Sequence, residues 1–197
     1  MIAGLGNPGS EYEDTRHNYG FLVIDRLCRK WRIGLSKTTP HAVYDVVTRH
    51  AQEVALIKPV TYMNRSGLAV AELLRHFGES PTNLIVVHDD LDLPMGTVKM
   101  RRQGGPGSHN GVASIVDSLG TEGFGRIRLG IGPRPEDWSG VDYVLGAFNG
   151  PEIPIVQDVI DHTCKGIETL LARGFAVAMN QVNRKPLHQA EGEAGTT

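Results

Sequence analysis

The chain has 197 residues, enough for one compact domain with a substantial core and short for two. With 40% hydrophobic and 21% charged residues and a net charge of −2, it has the make-up of an ordinary soluble globular protein, and net charge alone points to no nucleic-acid partner. No apolar run is long enough to span a bilayer and no signal peptide opens the chain. Cys28 and Cys164 lack metal-ligand spacing, so they read as reduced, buried thiols of a cytoplasmic protein.

The predicted elements follow in chain order. IAGL (2–5) forms the end of a first strand. In GFLVIDRLCRKW (20–31), Phe21, Ile24, Leu27, Cys28 and Trp31 recur at three- and four-residue intervals, which predicts a helix. HAVYDVVT (41–48) and EVALIKP (53–59) alternate or run apolar with β-branched residues and predict strands. SGLAVAELLRHFG (66–78) has helical periodicity, with Ser66 as its N-cap and Gly78 as its C-cap. NLIVVHDD (83–90) is a continuous β-branched run, the pattern of a central buried strand. GTVKMRR (96–102) is a further strand, and SHNGVASIVDSLG (108–120) is a helix ending on glycine. FGRIRLGIG (124–132) alternates arginine with Ile and Leu and predicts a half-exposed strand. PEIPIVQDVIDHTCKGIETLLARG (151–174) is a long amphipathic helix with proline near its start. Residues 186–197 are small and polar and read as a flexible tail on a domain of residues 1–185.

Helices alternating with apolar strands predict an α/β fold: a single domain with a mixed, twisted sheet and helices on both faces. Sites in such sheets gather at the carboxyl ends of the strands. The strand ends here run into GNPG, KPVTYMN, HDDLD and GIGPRP. The segment 132–150, punctuated by Gly and Pro, is the candidate for a cover over the cleft.

Charge is unevenly spread. Residues 79–94 carry Glu79, Asp89, Asp90 and Asp92 without a Lys or Arg. Residues 95–134 carry Lys99, Arg101, Arg102, Arg126, Arg128 and Arg134 against Asp117 and Glu122, a locally basic surface able to bind phosphates.

Gly4-x-Gly6-x-x-Gly9 matches a dinucleotide-binding fingerprint but fails its context. That fingerprint needs a helix starting at the glycines. Here Pro8 and the polar run SEYEDTRHN intervene, with Glu11, Glu13 and Asp14 opposing phosphate. The glycines and Pro8 instead predict a tight turn that brings Asn7 and His17 close to other segments. GGPGSHNG (104–111) lacks the Lys-Ser/Thr ending of a nucleotide loop, yet it gathers backbone N–H groups near a helix start.

Of the eight histidines, His17, His88 and His109 sit beside Asn or Asp in glycine-rich or strand-end settings. No His or Cys cluster has metal spacing, so no metal is expected, and no nucleophile elbow occurs. What remains is a histidine base held by a carboxylate from Asp89 or Asp90, with Asn7, Asn64 and Asn110 supplying carboxamides. That kit suits attack of water on an acyl centre in a peptide-like substrate.

Together GLGNPGSEYEDTRHNYGF, KPVTYMNRSG, VVHDDLDLPMGTVKMRRQGGPGSHNG and RIRLGIGPRP resemble the bacterial-type peptidyl-tRNA hydrolase family, in the family's order and over about residues 2–183. The resemblance implies cleavage of the ester between a peptide and the 3′-terminal ribose of tRNA, recycling tRNA from aborted translation. It implies a cytoplasmic monomer that needs no metal or nucleotide cofactor. By motif, His17 would be the general base that activates water, Asp89 would hold and polarise it, and Asn7 would sense the peptide. Asn64 and Asn110 would position the peptide backbone and ester carbonyl. Tyr12 and Tyr62 would contact the acceptor end, with Met63 lining the cleft and His109 behind it. Lys99, Arg101 and Arg102 resemble the family's basic patch for acceptor-stem phosphates. The chain departs from the family pattern in its short N-terminus, in Ser108 where glycine is usual, and in Pro106. The alternative reading is a non-catalytic RNA-binding module on the same scaffold.

Overall fold

A computed structural model describes residues 1–183; the expected tail lies outside the described residues. Among the described residues, seven strands form one sheet: β1 Ile2–Gly4, β2 Lys37–Thr38, β3 Ala42–Arg49, β4 Gln52–Pro59, β5 Ile85–Pro94, β6 Val98–Arg101 and β7 Gly125–Gly132. The order across the sheet is β2-β3-β4-β1-β5-β7-β6. β1, β4, β5 and β7 run parallel, and β2, β3 and β6 join antiparallel at the flanks. The carboxyl ends of β1, β4, β5 and β7 therefore meet at one edge of the domain, but HDDLD, expected as a loop after its strand, lies within β5, where Asp89 and Asp90 pair with β7.

Among the described residues, six α-helices cover the sheet: α1 Tyr19–Trp31, α2 Ser66–Phe77, α3 Asn110–Leu119, α4 Gly140–Leu145, α5 Glu152–Arg173 and α6 Phe175–Val182. Alternate strand residues feed two cores. Ile2, Ile85, Val87, Ile127 and Leu129 pack with α1, α5 and α6, while Ala3, Leu84 and Val86 pack with α2 and α3. That is the α/β sheet with helices on both faces that the sequence predicts. Cys28 and Cys164 are free and buried, and burial pushes the Cys164 thiol up to about 12.

Two local expectations are corrected. Ser66 does not cap α2: a 3₁₀ turn at Met63–Arg65 runs straight into the helix, Arg65 takes the cap position, and the Ser66 hydroxyl donates to Met63 O at 2.8 Å. β7 is not half-exposed. Its alternation is real, but the arginine side is roofed by the loop before α3, so Arg126 is only 3% exposed and donates to Gly105 O at 2.7 Å. At the β6 edge, the Asn183 carboxamide accepts from Met100 N–H and donates to Met100 C=O, so one side chain takes the place of a neighbouring strand residue.

Candidate active site

The opening glycines act through packing. A Cβ on Gly4 would stand 2.2 Å from Gly20 O, and one on Gly20 would stand 2.3 Å from both Leu5 N and Val87 O. Bare glycine at both positions lets the first turn of α1 press onto β1 and β5. Gly9 takes a φ of 116°, in the left-handed region that favours glycine, and turns the chain into the loop before His17. Gly9 leads into a short 3₁₀ turn at Ser10–Tyr12, and the first α-helix begins only at Tyr19.

The result places His17, in a 3₁₀ turn at Arg16–Asn18, against Asp89 on β5. His17 Nδ1 lies 3.0 and 3.1 Å from the two Asp89 oxygens. His109, the N-cap of α3, accepts from Gly111 N–H and Val112 N–H at Nδ1. Its proton is therefore on Nε2, which donates to Asp89 Oδ1 at 3.1 Å. One buried carboxylate thus takes N–H bonds from two imidazoles. Burial pushes the Asp89 carboxyl up, but the charges and hydrogen bonds of His17 and His109 together outweigh it and hold the group well below the usual carboxylate range.

His88 completes the cluster. Its Nδ1–H donates to Asp89 O at 2.7 Å, and its ring stands edge-on to His109 at 4.7 Å. Burial, reinforced by the nearby His109, drives its pKa well below that of a free imidazole, so it is neutral. Its buried Nε2 has no partner among the described residues.

Asn7 is fixed from three directions. Its N–H donates to Asn18 Oδ1 at 2.7 Å, its carbonyl accepts from Asn18 Nδ2 at 3.0 Å, and its side-chain oxygen accepts from Met63 N–H at 2.8 Å. The oxygen is spoken for, so the carboxamide NH2 is what Asn7 offers a ligand. Met63 is buried and packs against Gly111, where a Cβ would stand 2.5 Å from its sulfur. Tyr62 is 61% exposed, Tyr12 is half-buried, and Asn64 is exposed.

A cleft of about 560 Å³ opens beside His17 and Asp89; His109, Asn110, Ser108 and Arg101 line it too. Across the β6–β7 ladder, Lys99 faces Arg128 and Arg101 faces Arg126, so four cations share one face of the sheet. They are not equivalent. Arg128 pairs with Asp90, Arg126 braces the glycine loop, and the Lys99 ammonium donates to Asn183 O at 3.2 Å. Arg102 lies apart, its guanidinium 4.5 Å above the Phe175 ring at another cavity. Arg101 is the exposed cation of the cleft wall.

The model of the peptidyl-tRNA hydrolase family matches residues 1–190. The chain belongs to that family. A peptidyl-tRNA hydrolase of Bacillus subtilis (strain 168) is 43% identical over 185 residues, which span 94% of this chain and 98% of that one. One of Kosmotoga olearia is 44% identical over 185 residues, covering 93% and 96% of the two chains. A crystal structure of peptidyl-tRNA hydrolase from Acinetobacter baumannii superposes with a TM-score of 0.87 at 37% identity, covering 94% of each chain. The hydrolase acts on the ester bond of peptidyl-tRNA.

Of the residues expected from sequence, His17, Asp89, His109, Asn110 and Arg101 line one cleft, while Asn7, Tyr12, Tyr62, Met63, Asn64 and Lys99 are not among its lining residues. Sequence alone leaves Arg16, Asn18 and His88 without a role, and it places Arg126 only in the basic surface, where the structure has it bracing the glycine loop. Arg16 and Asn18 both flank His17 in SEYEDTRHN, but nothing in that run marks Gly146, Ala147 and Glu152 as the partners of Arg16. The reading also saw no metal cluster, yet His17, Asp89 and His109 offer ligand atoms within 4.8 Å of one another. The two backbone N–H groups on His109 Nδ1 force its proton onto Nε2, the nitrogen that would have to ligate, so this set is built for hydrogen bonds to Asp89.

Proposed function

We propose that His17 is the general base of peptidyl-tRNA hydrolysis. Its Nε2 takes a proton from water as that water attacks the carbonyl carbon of the ester between the peptide and the 3′-terminal ribose. Asp89 keeps the proton on Nδ1, which leaves the Nε2 lone pair free, and stabilises the imidazolium that forms. The tetrahedral intermediate then expels the ribose oxygen, which recovers the proton from Nε2. The products are a peptide acid and free tRNA. The contact of His17 Nδ1 with both Asp89 oxygens carries this reading. The second N–H on that carboxylate, from His109, fixes its orientation. The reading needs no metal or cofactor and no group from a second chain, so a monomer suffices for it, and its place is the cytoplasm, where translation occurs.

In this reading the Asn7 NH2 donates to a carbonyl of the peptide. A blocked substrate has that acceptor and a free aminoacyl-tRNA, with its α-ammonium group, does not. Asn64 and Asn110 present exposed carboxamides for the peptide backbone and the ester carbonyl. Tyr62 offers an open ring face to a base or ribose of the acceptor end, with Tyr12 nearby in sequence to the base's turn and Met63 as packing beneath. Arg101, with Lys99 on the same strand, neutralises acceptor-stem phosphates.

The test is peptide release from N-acetyl-aminoacyl-tRNA beside the unblocked aminoacyl-tRNA, with wild type and His17→Ala. Cleavage of the blocked substrate alone, abolished in the variant while tRNA still binds, is the expected result. A wild-type protein that binds tRNA and releases no peptide would make it an RNA-binding module instead.

A further inference from the structure

Arg16 precedes His17 directly, yet its side chain is only 5% exposed and reaches across the fold. Its Nη1 donates to Gly146 O at 3.2 Å and Ala147 O at 2.8 Å, and its Nη2 pairs with Glu152 at 2.7 Å. The guanidinium carbon lies over both rings, 4.4 Å from the Tyr143 ring centre and 5.5 Å from that of Phe148. The backbone repeats the connection: Arg16 N–H donates to Gly146 O, Phe148 N–H donates to Asp14 O, and Thr15 bridges to Ala147. The segment held this way begins in α4, whose Val141 and Val144 line the same cleft as His17.

We propose that Arg16 is a positioning residue that locks the α4 wall of the cleft to the turn carrying His17. This rests on the reading of His17 as the base. Backbone hydrogen bonds already join residues 14–16 to 146–148, and the Arg16 side chain adds the ties that reach Glu152 and the rings of Tyr143 and Phe148. Arg16 makes them one rigid unit, so substrate seated against α4 is already in register with Nε2. The job requires arginine: a planar fork serves two carbonyls and a carboxylate at once while its faces stack on two rings, and a lysine ammonium cannot do this. Tyr143 carries the lock onward, its hydroxyl donating to Ile131 O of β7 at 2.6 Å.

Arg16→Lys keeps the charge and loses the fork. It is expected to lower kcat roughly 10- to 100-fold, the scale of a misplacement of about 1 Å. Affinity for uncharged tRNA should stay within about twofold, because the Arg101 wall is untouched. Amide exchange should accelerate at residues 140–148 and not in β5. Glu152→Gln should share the pattern in weaker form. Arg26→Gln breaks a different link from α1 to α5, the pair with Asp161, away from the cleft. It should lower Tm and leave kcat intact. Wild-type kcat in folded Arg16→Lys would overturn the proposal. So would an equal loss of kcat in Arg26→Gln at matched Tm, since activity would then track stability alone. Hydrolysis by His17→Ala at the wild-type rate would instead remove the reading of the base.

Discussion

His88 shows how burial sets a residue's chemistry. It sits neutral among His109, Asp89 and Arg126, with Nδ1 on a backbone carbonyl and Nε2 without a partner among the described residues. Its folded pKa lies below its unfolded one, so the stability it contributes is complete above the 6.5 of a free imidazole and is lost as pH falls from there. From this group alone the loss is about 1.4 kcal/mol per pH unit. Urea unfolding at pH 7.5, 6.5 and 5.5 should show a steeper acid loss in wild type than in His88→Asn, which carries no imidazole to protonate. Parallel pH dependence in the two proteins would show that His88 does not resist protonation. At this scale the sequence was readable where chemistry is local. His17 lies in a dense polar motif, and Asp89 follows a run that only a central strand would carry. Arg16 was unreadable because its partners lie about 130 residues away, and nothing near it in sequence marks them.

At the scale of elements, the α1–β1–β5 contact decides where the base stands. Gly20→Ala would drive a methyl into the backbone of Leu5, just past β1, and of Val87 on β5, which side chains cannot relieve. It should cost about 1–3 kcal/mol or more of stability and cut activity, because His17 sits three residues away on the displaced turn. Gly34→Ala, with no atom within 4 Å of the new Cβ, should stay within about 0.5 kcal/mol. Denaturant midpoints compare the two, and equal midpoints would refute the close-packing account. Most elements were legible because periodicity of 3.6 or 2 reports burial directly. Ser66 was misread because a 3₁₀ turn ahead of α2 is indistinguishable from loop in sequence. β7 was misread because its roof is a glycine loop from another part of the chain. α6, at Phe175–Val182, follows α5 across Gly174 and is too short to announce itself.

At the scale of the molecule, a net charge of −2 hides a basic wall, and that wall should govern RNA affinity. Two or three phosphate contacts at about −0.7 to −0.9 in log–log slope each predict that raising salt from about 50 to 200 mM weakens tRNA binding roughly 7- to 40-fold. Arg101→Gln should flatten that slope by about one unit, and a slope unchanged by the substitution would take Arg101 out of the interface. The sheet has a second large-scale property in Asn183. An outer strand with free N–H and C=O groups is a template on which any extended chain can crystallise, its own copies included. By filling the Met100 pair with a side chain from the end of α6, the fold answers that template from within. Growth by strand addition at β6 must first evict Asn183, so the last described helix works as a stopper against polymerisation as well as a cover for the core.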